Sequence, residues 1–70
     1  MQKVIEQYQL AWHPQMGPAY RIKLVNTSWG NWVKVPAAEF SAIALILNES
    51  PVYYNTQTHA ISTGEEPTGN

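Results

Sequence analysis

The 70-residue sequence contains no cysteine and no aspartate. The first absence removes disulfide bridges and thiolate metal ligands as sources of stability. The second leaves Glu6, Glu39, Glu49, Glu65 and Glu66 as the only side-chain carboxylates. Charge of either sign is scarce, since Asp, Glu, Lys and Arg make up 13% of the chain, about half of what a soluble domain carries. The net charge is −1, which supplies no global attraction to nucleic acid or to an anionic membrane. Long apolar runs are also missing. Phe40 to Leu47 is the greasiest stretch and is far too short to span a bilayer. The opening "MQKVIEQYQL" has no apolar core of signal-peptide length, so a cytoplasmic chain without a membrane partner is expected.

These absences bear on chemistry. Two carboxylates held in one cleft are the minimum for paired acid–base work, but two of the five glutamates fall in the polar C-terminal stretch and two on the expected helix. His13 and His59 are the only histidines, too few by themselves for a zinc site. The four glycines are scattered and form no phosphate-binding loop. The sequence therefore predicts no enzyme, no cofactor and no metal, and a catalytic or metal role centred on His13 or His59 is the weakest of the alternatives.

What the sequence does contain is alternation. In "KVIEQYQLAWH", residues 3–13, Val4, Glu6, Tyr8, Leu10 and Trp12 share one side, and Lys3, Ile5, Gln7, Gln9, Ala11 and His13 the other. A period of two with aromatics predicts a half-buried strand, with Glu6 out of place on the apolar side. "PQMGP" (14–18) breaks the pattern as a loop. Residues 19–28 alternate again, with Tyr20, Ile22 and Leu24 opposite in sense to Arg21, Lys23 and Val25. A third strand follows a two-residue turn expected at Gly30-Asn31, because both residue types tolerate positive φ. That turn sets Trp29 opposite Trp32 and Thr27 opposite Lys34.

Pro36 ends the third strand and suits the first position of a helix, which Pro51 must stop. An advance of about 100° per residue gathers Phe40, Ile43, Ala44, Ile46 and Leu47 on one face. Ala38, Ser41, Ala42, Leu45, Asn48 and Glu49 are left on the back. "PVYYN" and "AIST" read as a short hairpin anchored by Val52 and Ile61. The expected fold is α+β: an antiparallel sheet of three to five strands with one helix across one face, in the order β-β-β-α-β(-β). One domain covers residues 1–63, and 64–70 form a disordered acidic and polar tail.

Two surfaces stand out as candidates. Arg21, Lys23 and Lys34 project from the sheet face that also carries Trp29 and Trp32. Ala38, Ala42 and Leu45 form a stripe on the helix back. The predicted function is a small non-enzymatic domain that binds another protein or a second copy of itself, since Trp and Arg are favoured anchors and a core this small gains from association. The alternative is single-stranded nucleic acid or another anionic ligand on the Trp/basic face, although four basic residues are few for phosphate contacts.

Overall fold

A computed structural model of the protein describes residues 1–64; the expectation for residues 65–70 falls outside it. The elements follow the expected order. Strand β1 spans Gln2–His13, β2 Gly17–Leu24, β3 Val33–Lys34, α1 Ala37–Leu47, β4 Val52–Asn55 and β5 Ile61–Thr63. All five strands join one antiparallel sheet in the order β3-β2-β1-β4-β5, so the C-terminal hairpin extends the main sheet. Strand β1 is the spine. Its C-terminal two-thirds pair with β2, and only Gln2 to Val4 pair with β4.

Pro14 to Met16 turn β1 into β2, and Gly17 completes the reversal at a φ of 79°, a conformation that costs glycine nothing. The pairing of β1 with β2 slips by one residue between Ile5 and Gln7, where Ile5 meets Leu24 and Gln7 meets Lys23. Glu6 is the extra residue of a β-bulge. The bulge corrects the face assignment before it. Ile5 turns inward with Leu24, and Val4 is exposed, the reverse of what unbroken alternation predicts. Beyond the bulge, Tyr8, Leu10 and Trp12 pair with Ile22, Tyr20 and Pro18, while Gln7, Gln9 and Ala11 pair with Lys23, Arg21 and Ala19.

The second reversal is not at Gly30-Asn31. The chain turns at Val25 to Thr27, where the Thr27 amide donates to the Leu24 carbonyl at 3.1 Å and Asn26 takes a φ of 64°. Asparagine is among the few residues that adopt this left-handed conformation readily. The Thr27 hydroxyl also donates to the Leu24 carbonyl, at 2.9 Å. Gly30 serves a different purpose. Its amide donates to the Ile22 carbonyl at 2.9 Å, and a Cβ added there would sit 3.3 Å from that same oxygen. It is a point of close backbone approach rather than a turn.

The helix begins one residue later than expected. Pro36 is the N-cap, in extended conformation at φ −61° and ψ 145°, and its carbonyl accepts the Glu39 amide at 2.9 Å. The chain leaves the helix after Leu47. Leu47 is buried, Phe40, Ile43, Ala44 and Ile46 are half-buried, and every other helical residue is exposed, so the expected apolar face is the one that packs. The helix lies against β2 and β5. Among the described residues few are buried: Ala19, Tyr20, Leu47 and Val52. With extents of 40 × 32 × 19 Å, the short axis has room for one sheet and one helix. No helix among the described residues is long and apolar enough to cross a membrane.

Candidate functional site

The Trp/basic face forms, but by a different register. Lys23 bridges Trp29, Tyr20 pairs with Val33, and Ala19 pairs with Lys34. Between Trp29 and Val33 the returning chain carries one residue more than β2 opposes. Under strict alternation Trp29, Asn31 and Val33 would share a face. The extra residue shifts the phase, so Trp32 and Lys34 join Trp29 on the side of Arg21 and Lys23. All five residues of the expected surface thus come together, although Trp29 and Trp32 are not directly opposed and Thr27 does not meet Lys34.

Arg21 organises this face. Its guanidinium carbon lies 4.6 Å from the Trp29 ring centre and 4.9 Å from that of Trp32. Its Nε donates to Gln9 Oε1 at 2.8 Å from the neighbouring strand. A planar cation attracted to two ring faces links the two tryptophans, and the glutamine fixes its orientation. Lys23 is engaged as well, in an ion pair with Glu6. The bulge that displaced Glu6 from the apolar side turns its carboxylate to this lysine. The pair is partly exposed and contributes at most about 1 kcal/mol. Lys34 makes no ion pair among the described residues.

Trp32 also borders a small apolar hollow with Ala11, Trp12, Met16 and Ala19. Trp12 is 67% exposed, and Trp29, Trp32, Tyr8 and Met16 are exposed too. On the helix back Ala38, Ala42 and Leu45 are all exposed, Leu45 at 71%. The two expected surfaces are therefore separate, one on the sheet and one on the helix.

A third feature escaped the sequence reading. Tyr54 Oη and His59 Nδ1 are hydrogen bonded at 2.6 Å, with His59 at a φ of 65°. The turn that presents His59 is built by Asn55, whose Oδ1 accepts the amides of Gln57 and Thr58 at 2.8 and 3.0 Å and whose carbonyl accepts the His59 amide at 2.7 Å. Asparagine after a strand was the available signal, because its side chain commonly organises such turns. Tyr54 and His59 edge a cleft of about 490 Å³ floored by Tyr20, Ile22 and Leu24. Burial, then the neighbouring Tyr54, raise the Tyr20 hydroxyl above the usual tyrosine range. Among the described residues no carboxylate lines the cleft. Among the described residues no three His or Glu side chains converge as metal ligands. No family model matches the chain, and comparisons with curated proteins and with solved structures give no match.

Proposed function

We propose that this chain is a small, non-enzymatic protein-interaction module whose first partner is a second copy of itself. The observation that carries this reading is the imbalance between its interior and its surface. Among the described residues four are buried, all apolar or aromatic, whereas ten large apolar side chains, all three tryptophans among them, are exposed. Exposed aromatic and apolar groups in that proportion mark association surfaces, and a domain with so little core gains stability from covering them.

Anionic ligands are the weaker alternative. Of the four basic side chains, Arg21 is held by two indoles and a glutamine and Lys23 by Glu6. Phosphate binding would have to break these contacts or rely on Lys3 and Lys34. A cytoplasmic location belongs to the same reading, and recovery of the native protein in a membrane or secreted fraction would contradict it.

Sedimentation equilibrium of the 70-residue chain across micromolar concentrations tests the proposal. The expected mass is twice the monomer's 7.9 kDa. A single monomer mass throughout would overturn self-association. Salt-sensitive quenching of tryptophan fluorescence by an oligonucleotide would shift the reading to the nucleic-acid alternative.

A further inference from the structure

Strand β1 pairs with β4 over Gln2 to Val4 and with β2 from Ile5 onward. Its pairing with β4 stops at Val4, while its pairing with β2 runs on to His13. From Tyr8 to Trp12 no strand among the described residues pairs with the side away from β2, which forms an open sheet edge.

The hydrogen-bond directions identify which groups it exposes. The Ile22 carbonyl accepts from Gly30, and the Pro18 carbonyl accepts from Val35. Both therefore face the β3 side of β2. In an antiparallel ladder their partners on β1 sit at non-hydrogen-bonded positions. Those partners are Tyr8 and Trp12, and Leu10, opposite Tyr20, shares their phase. The peptide groups of Tyr8, Leu10 and Trp12 thus point out of the sheet on the open side, and no backbone bond satisfies them among the described residues.

Natural sheets protect such edges with lysine, proline, bulges or short strands. Here β3 and β5 are two and three residues long, and β3 carries Lys34. The open part of β1 has none of these. "QYQLAWH", Gln7 to His13, contains no Lys, Arg, Glu or Pro, and the bulge lies before it. Tyr8 and Trp12, which flank the exposed peptide groups, are themselves exposed.

We infer that this edge is the self-association site, and that two copies join through antiparallel pairing of β1 with β1 about a twofold axis at Leu10. The inference rests on the self-associating reading above and names its surface. The segment is self-complementary in that register. Leu10 meets the partner's Leu10, and Tyr8 meets the partner's Trp12 on both sides of the axis. The outward peptide groups of three residues then exchange about six hydrogen bonds. Two aromatic cross-strand pairs flank the axis, and no like charges oppose each other. An isologous contact of this kind closes at two copies. The two sheets become one, which removes the open edge from each.

Backbone N-methylation of Leu10, introduced by chemical synthesis of the full chain, removes one outward donor and blocks strand approach. Because that N–H points away from β2, the monomer keeps its ladder. Trp12→Lys is the second variant, since this side chain is mostly exposed and a charge protects an edge. Leu45→Glu is the control on the helix back. By sedimentation equilibrium, both edge changes should weaken dimerisation by at least about tenfold, while Leu45→Glu leaves it unchanged. If circular dichroism shows that N-methylation unfolds the chain, Trp12→Lys alone decides. Full dimerisation of the folded edge variants, with loss in Leu45→Glu or in a Trp32 variant, would overturn the edge assignment and leave self-association standing. A wild-type chain that stays monomeric would overturn both.

Discussion

The guanidinium of Arg21 lies 4.9 Å from the ring centre of Trp32, two residues brought together by one extra residue in the returning chain. The same cation lies over Trp29, so Arg21 joins both indoles to the sheet. Arg21→Gln keeps a polar side chain but removes the cation. It should lower stability by about 1–2 kcal/mol, read as a lower urea midpoint at constant slope. Tryptophan emission should change at the same time. An unchanged midpoint would mean that the stacked geometry contributes nothing.

Asn26 and Gly30 mark the observed and the expected position of the second reversal. Asn26 holds a φ of 64°, so Asn26→Val should cost about 1–3 kcal/mol from backbone strain, while Asn26→Gly should stay within about 0.5 kcal/mol. Gly30→Ala brings a Cβ to 3.3 Å from the Ile22 carbonyl and should destabilise through that contact. Equal tolerance of Val and Gly at position 26, measured by urea unfolding, would contradict a turn there.

Leu47 is the most buried residue of the helix, at 2% exposure. Leu47→Ala should cost about 2–5 kcal/mol, enough to populate unfolded chain in a domain of this size. Ala42→Ser, on the exposed back, should be nearly neutral. Thermal unfolding followed by circular dichroism compares the two directly.

Tyr20 ionises at higher pH than an ordinary tyrosine because of its burial and the neighbouring Tyr54. The unfolded chain releases this proton first, at about pH 10. Between that pH and the higher folded value the native state binds more protons, so stability falls as pH rises. The loss is complete once pH exceeds the folded value. Tyr20→Phe should flatten this part of the stability profile, and an unaltered alkaline slope in that variant would assign the effect to another group.

The helix was legible because its apolar face depends only on local spacing. Phe40, Ile43, Ala44, Ile46 and Leu47 follow from a 100° advance, and these are the shielded positions. The fold class and the order of the elements followed from alternation and turn residues in the same way, while the second strand, expected over 19–28, runs from Gly17 to Leu24. Register was less legible because it is set between strands. Asn26 and Gly30-Asn31 carry similar local turn chemistry, and the choice depends on pairing with β2, where Gly30 is needed for close approach to Ile22. Glu6 offered a clue in its break of the alternation, since an acid on an apolar side fits a bulge better than a regular strand. The cation face survived the wrong turn because two offsets compensated. The reversal came earlier, and the extra residue before Val33 restored Trp32 and Lys34 to the side of Arg21. The Tyr54–His59 contact depends on the path of the 55–60 turn, which no periodicity reports.

The most direct measurement is hydrogen exchange at the Leu10 amide at high and low protein concentration. In the monomer this N–H faces the open edge, whereas the amides of Gln9 and Ala11 lie in the ladder with β2. Leu10 should be protected in concentrated solution and exchange rapidly on dilution, while Gln9 and Ala11 stay protected in both. Rapid exchange at Leu10 at every concentration, under conditions where sedimentation shows a dimer, would contradict pairing through β1.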